Sequence, residues 1–211
     1  MTPVLEWKQV EAGIDDTTIL SDFSLTAQEG ERILLYGPSG IGKSSVLKTV
    51  LGVIPVLSGE ICCCGVPMDK KSIWEIRKKI AYVPQNPDIG EGPVQSIIDT
   101  IFSYKCNGKP PSGERIAELF AEFQLPMEFL EKEFVQLSGG EKQRIAVVIA
   151  LLLQRDMFFL DEITASLDGE LKSTVINYFV GLEGTTQFIV SHDPEWTKVK
   201  NIRIVELEEQ R

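Results

Sequence analysis

Apolar residues recur along this chain in two rhythms. Arg32-Ile33-Leu34-Leu35-Tyr36 is a short, almost unbroken apolar run that stops at Gly37, the pattern of a parallel strand buried on both faces. Ile80–Val83, Met157–Leu160, Thr186–Val190 and Ile202–Leu207 read as further strands. Leu5–Val10 and Ile19–Leu25 are predicted strands too, the second ending in the alternation Asp22-Phe23-Ser24-Leu25. The other rhythm is helical. Val46, Leu47 and Val50 share one face of a helix predicted over residues 42–51. Ile97-Ile98 and Ile101-Phe102, then Ile116, Leu119-Phe120 and Phe123, keep helical spacing on either side of Gly108-Lys109-Pro110-Pro111-Ser112-Gly113. An apolar helix is expected from about Glu141 to Leu153.

Strands that alternate with helices predict a layered βαβ architecture with right-handed crossovers. The stretch 93–153 is expected to be a helical subdomain inserted into a parallel α/β core made by 1–92 and 154–211. No repeat of solenoid period and no low-complexity tract interrupts this organisation. At 211 residues, 43% hydrophobic and 25% charged, the chain is expected to form one ordinary globular domain with a full core.

Charge narrows the function classes. A net charge of −10 argues against a nucleic-acid binder, which needs clustered cations to neutralise phosphates. A bound nucleotide needs only a few local donors. The basic clusters Lys70-Lys71 and Arg77-Lys78-Lys79 read as a solvated helix face. No secretory signal is expected at Met1-Thr2-Pro3-Val4-Leu5-Glu6, which lacks a basic start and an apolar core. The longest apolar run, Ile145 to Leu153, falls well short of the roughly 20 residues of a spanning helix. A cytosolic chain that does not itself cross a bilayer is therefore expected. Cys62, Cys63 and Cys64 would alternate faces in a strand and so could not jointly surround one metal ion; reduced thiols are the expectation for them and for Cys106.

Gly37-Pro38-Ser39-Gly40-Ile41-Gly42-Lys43-Ser44, with Ser45 following, fits the phosphate-loop pattern in full. Its context is the one the mechanism demands: a buried strand, a glycine-rich loop, then a helix. The glycines let consecutive N–H groups turn inward onto phosphate oxygens, and the helix adds the positive end of its dipole. In such a loop Lys43 bridges the β- and γ-phosphates and the Ser44 hydroxyl ligates Mg²⁺. Met157 to Leu160 leads into Asp161 and Glu162, candidates for the Mg²⁺-holding carboxylate and the general base that polarises water.

Leu137-Ser138-Gly139-Gly140-Glu141 opens the apolar helix. Ser138 with Glu141 three residues later forms a capping-box pattern, and the exposed helix start is a second potential anion site. A capped helix does not account for two glycines in its first turn, each costing about 1 kcal/mol.

With these motifs in place, the chain resembles the ABC ATPases from about Leu5 to Val205. Leu137 to Glu141 looks like their signature motif, Gln85 like the Q-loop glutamine that also reaches Mg²⁺, Ser166-Leu167-Asp168 like the D-loop, and His192 in Val190-Ser191-His192-Asp193 like the switch histidine at the γ-phosphate. The resemblance implies a P-loop NTPase (RecA-like) α/β core with an N-terminal antiparallel β subdomain and an inserted helical subdomain. It implies ATP and Mg²⁺ as cofactors and a head-to-tail homodimer. In that dimer Ser138, Gly139, Gly140 and Asp168 of one copy meet the ATP held by the other. It also implies a separate transmembrane permease docked near Gln85-Asn86-Pro87-Asp88 and the helical insert, on the cytoplasmic face of the cell membrane.

Two positions depart from the family. The adenine-stacking aromatic is expected near Ile14, in Ala12-Gly13-Ile14-Asp15-Asp16, yet no aromatic lies between Trp7 and Phe23; Trp7 is the nearest candidate. Ile163 follows the catalytic glutamate where many importers carry proline. The surrounding residues look most like FetA-type subunits of metal-export systems. The alternative is a soluble, non-transport ABC ATPase, but those acting on chromosomes are split by long coiled coils, and no sustained heptad pattern occurs here. Translation-associated members carry two cassettes, and a simple P-loop kinase would not explain Leu137 to Glu141.

Overall fold

In the computed structural model, residues 2–15 and 17–207 are described. The chain begins with a long hairpin, β1 (Leu5–Ile14) against β2 (Thr17–Ala27), paired antiparallel from Leu5–Ala27 to Ile14–Thr17. A bulge at Lys8-Gln9, where Gln9 takes φ 47°, lets both Trp7 and Val10 face inward although three positions separate them. Both strands run beyond their predicted limits. Asp16 lies outside the described residues.

There follow β3 (Arg32–Tyr36), α1 (Lys43–Val50), β4 (Val56–Cys63), β5 (Val66–Pro67), α2 (Ile73–Arg77) and β6 (Ile80–Val83). Next come α3 (Val94–Ser103), α4 (Gly113–Glu122), α5 (Gly139–Leu152) and β7 (Met157–Asp161). The chain ends with α6 (Gly169–Gly181), β8 (Thr186–Val190), α7 (Pro194–Thr197) and β9 (Ile202–Glu206). One sheet has the order β2-β1-β4-β5 and is antiparallel; the other, β6-β7-β8-β3-β9, is parallel throughout. The parallel-strand predictions hold to within a residue, and the chain between β6 and β7 is helical as expected. Pattern reading did not find β4, β5, α6 or α7.

Apart from its partly exposed edge strand β9, the parallel sheet is buried on both faces, and alternate residues join different cores. Ile33, Leu35, Phe159 and Phe188 pack toward α1 and the antiparallel sheet, while Leu34, Phe158, Leu160 and Ile189 pack toward the other helices. Phe159 and Phe188 meet edge to face at 5.2 Å, and Trp7 meets Phe188 at 5.6 Å; each such pair adds about 0.5–1.5 kcal/mol beyond burial. The Trp7 indole N–H donates to the Thr49 hydroxyl at 3.1 Å. The antiparallel sheet is thereby fastened to α1, the helix that begins at the phosphate loop. Trp7 is 1% exposed, which removes it as a partner for a base. The C-terminal ends of β3, β7 and β8 together deliver Gly37, Asp161 and the Ser191-His192 loop to one edge of the sheet, where α/β folds place their sites.

Candidate active site

A cleft of about 440 Å³ opens at that edge, lined by Ser39, Gly40, Gly42, Lys43, Ser44, Ser45, Gln85, Glu162, His192 and Ile19. Four of the predicted segments therefore converge from distant parts of the chain. The loop is shaped by its glycines. Gly42 is the N-cap of α1 with φ 95°, and a Cβ there would lie 3.2 Å from the Ile19 carbonyl oxygen and 3.3 Å from Leu20. A side chain would be both strained and crowded. The buried Lys43 ammonium donates to the carbonyls of Gly37 (2.8 Å) and Pro38 (2.7 Å), so the loop organises its own cation. Lysine has three N–H donors, and these bonds use two of them.

The carboxylate pair divides its work. Asp161 is 2% exposed; its Oδ1 accepts from the Ser44 hydroxyl at 2.6 Å and its Oδ2 from the Tyr82 hydroxyl at 3.1 Å. Burial, then the Asp161 charge and the hydrogen bond to it, push the Tyr82 pKa up, so the phenol stays protonated and keeps donating. Glu162, directly after β7, takes the left-handed region, φ 52°, with its N–H donating to the Val190 carbonyl at 2.8 Å. A non-glycine residue held there stores about 1–3 kcal/mol. This geometry aims the carboxylate into the cleft, with one oxygen 2.9 Å from His192 Nδ1. Glu162 is buried and His192 is exposed, so the pair links the interior to the cleft mouth.

The donor set suits a hard cation. Ser44 and Asp161 offer oxygen ligands side by side, and the Gln85 amide lines the same cleft. Among the described residues no cluster of three His, Cys, Asp or Glu side chains could hold a metal ion by itself. The neighbouring Ser44 and Asp161 oxygens fit Mg²⁺, which takes one or two protein ligands and completes its shell with phosphates and water.

The family model described as ABC transporter matches residues 20–165. This chain belongs to the ABC transporter family. It is 32% identical over 183 residues to the energy-coupling factor transporter ATP-binding protein EcfA1 of Enterococcus faecalis, covering 83% of this chain and 64% of EcfA1. It is 30% identical over 197 residues to the probable iron export ATP-binding protein FetA of Escherichia coli, covering 92% of this chain and 87% of FetA. It thus spans less than two thirds of the EcfA1 chain and most of FetA. Among solved structures, the dimeric post-hydrolysis ATP-binding cassette MJ0796 bound to ADP and Pi superposes with TM-score 0.83 at 26% identity, covering 97% of this chain and 94% of that one.

In this ABC chain the signature turn stands outside the cleft. Ser138 caps α5 by accepting from the Glu141 N–H at 3.4 Å, while the Glu141 carboxylate accepts from the Ser138 N–H at 2.7 Å. The helix therefore starts at Gly139, two residues before the predicted start. Gly140 has a local reason: a Cβ there would meet the Ser166 carbonyl at 3.0 Å. Gly139 has none, since nothing lies within 4 Å of a Cβ there. Asp168 caps α6 through the Leu171 N–H at 3.0 Å. None of Ser138, Gly139, Gly140 or Asp168 lines the cleft. Ile14 does not line it either. It is exposed beside the hairpin turn, and Ile19 of the neighbouring strand lines the cleft instead.

Four contributors escaped sequence reading. Tyr82, a polar tip in an apolar strand three residues before Gln85, was the most legible. Ile19 was hidden by the hairpin register. Gln143, buried in α5, donates to the Pro84 carbonyl at 3.2 Å and so ties the signature helix to the segment before Gln85. Asp193, next to His192, pairs with Lys172 of α6 at 2.9 Å. Burial pushes its carboxyl up, but Lys172, the Glu195 N–H and Thr164 together hold it below the ordinary carboxylate value. The histidine loop is thus anchored on α6.

Proposed function

We propose that this chain is the ATP-binding and ATP-hydrolysing subunit of a membrane transporter, acting as a homodimer that closes on two ATP molecules with Mg²⁺ and seats on a separate transmembrane permease. The observation that carries this is the split of the site. The phosphate loop, Glu162, Gln85 and His192 line one cleft, with Asp161 bonded to Ser44, whereas the signature turn is exposed and carries a glycine that no described residue of its own chain crowds. The second copy's turn is the natural occupant of that missing side.

In this reading the backbone N–H groups of Gly37 to Ser45 and the free Lys43 donor bind the β- and γ-phosphates. Ser44, Asp161 and Gln85 hold Mg²⁺, which when bound neutralises charge on the phosphate oxygens. Glu162 accepts a hydrogen bond from the attacking water, whose oxygen joins the γ-phosphorus as ADP leaves. His192 holds Glu162 through Nδ1 and has its other ring nitrogen for the γ-phosphate. Ser138, Gly139, Gly140 and Asp168 act across the dimer. Adenine contacts Ile19, not Ile14, and binding leans on the phosphates.

Among the described residues no helix is long and apolar enough to cross a membrane, which agrees with a peripheral subunit at the inner face of the cell membrane. Metal export is the narrower cargo reading. It is favoured by the FetA match, which is the more complete of the two relatives over both chains.

Lys43→Ala tests the nucleotide assignment. Losing one charged donor to a developing phosphate charge costs about 2.7–4 kcal/mol, or roughly 10²–10³ in rate. Hydrolysis at the wild-type rate in folded Lys43→Ala protein would overturn the reading.

A further inference from the structure

His192 reaches the cleft from a loop whose neighbouring residues are fixed inside the protein. Its side chain is exposed, whereas Ser191 and Asp193 on either side of it are buried. The Asp193 N–H donates to the Ser191 hydroxyl at 3.0 Å, which closes the backbone around the histidine. The Asp193 carboxylate then reaches outward. Its Oδ1 accepts from the Glu195 N–H at 3.1 Å and caps α7, while its Oδ2 accepts from the Thr164 hydroxyl at 3.4 Å and from the Lys172 ammonium at 2.9 Å.

These contacts join the segments that meet at the cleft. Thr164 is buried and stands two residues after Glu162, so the segment bearing Glu162 and the loop bearing His192 are bonded through side chains at two places, His192 to Glu162 and Asp193 to Thr164. Lys172 enters this network from outside both segments. It stands in the first turn of α6, its N–H donating to the carbonyl of the cap residue Asp168 at 2.8 Å. The Thr164 contact is long for an O–H donor, whereas the Lys172 contact joins two charges at hydrogen-bond distance. The side chains of Lys172 and Asp193 are 29% and 10% exposed, so water screens this pair less than one on the open surface. Lys172 is thus the main restraint on Asp193 from outside its own loop.

On the reading that this cleft hydrolyses ATP, we propose that Lys172 is a positioning residue for the chemical step. By holding Asp193 it fixes where His192 stands, and His192 in turn holds the Glu162 carboxylate toward the attacking water. Lys172 itself does not line the cleft and so adds nothing to ATP binding. Without its charge the loop keeps its fold through Ser191, Thr164 and the α7 cap, but His192 and Glu162 spend less time in the reactive arrangement.

Lys172→Met removes the charge and keeps an unbranched side chain, and Lys172→Arg keeps the charge. Lys198→Met is the control, because it removes a cation from the C-terminal end of α7 that pairs with Glu195 and not with Asp193. Steady-state hydrolysis of ATP with Mg²⁺ is measured for each purified protein beside its melting temperature. Lys172→Met should lower kcat roughly tenfold, within the hundredfold that a misplacement of about 1 Å can cost, and leave KM for ATP unchanged. Lys172→Arg should recover most of the loss, and Lys198→Met should match the wild type. An unchanged kcat in Lys172→Met, with or without a lower melting temperature, would make Lys172 purely structural and overturn the proposal. A loss confined to KM, an equal loss in Lys172→Arg, or an equal loss in Lys198→Met would overturn it too. No hydrolysis by the wild type would instead overturn the reading of the cleft, and this role with it.

Discussion

The two anion-facing helix starts of this molecule are built in opposite ways. At the start of α1 the loop is closed in on itself: Lys43 is held by the Gly37 and Pro38 carbonyls, Ser44 by Asp161, and Asp161 in turn by Tyr82. At the start of α5 the Ser138–Glu141 box satisfies the helix end, and Gly139 is left open to solvent. One start is a preorganised pocket with side chains converging on it. The other is a capped, exposed turn that lies outside the cleft. In the proposed reading, the difference means that the chain carries both halves of a composite site on separate surfaces. Gln143, bonded to Pro84, is the physical tie between them.

The closed half breaks most visibly at its outer support. Tyr82→Phe removes the donor to Asp161 Oδ2 and leaves the ring in place. Outer-shell partners of metal ligands are worth about 10–100-fold in metal affinity. Mg²⁺ titrations of nucleotide binding should therefore move rightward by that factor, with Mg²⁺-free ATP binding unchanged. An unaltered Mg²⁺ midpoint would mean that Ser44 alone orients Asp161.

A smaller effect separates the two isoleucines. Ile19→Ala should weaken nucleotide by about 1 kcal/mol, roughly fivefold, from lost apolar contact. Ile14→Ala should leave affinity unchanged. Fluorescent-nucleotide titration of both variants checks this, and the reverse ranking would put Ile14 back on the base.

These tests also mark what could be read without coordinates. Continuous apolar runs located β3, β6, β7 and β8, because a strand buried on both faces needs no alternation. Helical spacing at Leu171, Val175, Ile176 and Phe179 was present for α6 but was flanked by loop motifs that drew the reading elsewhere. The first five residues of β4, Val56-Leu57-Ser58-Gly59-Glu60, are mostly exposed; their strand comes from pairing with β1, a long-range fact. The closed half of the site was legible because its motifs are contiguous. The place of Ile19 in the cleft was missed because a bulged hairpin shifts register in ways that spacing does not record, and burial in the core decides against Trp7.

The most direct test of the split site is the mass of the Glu162→Gln chain with ATP and Mg²⁺, measured by light scattering. With hydrolysis blocked, the account predicts a dimer that forms only with nucleotide and is lost when Ser138→Arg is added. Arginine there cannot approach the γ-phosphate side of a second copy without clashing. Equal dimerisation of the single and double variants would contradict the account.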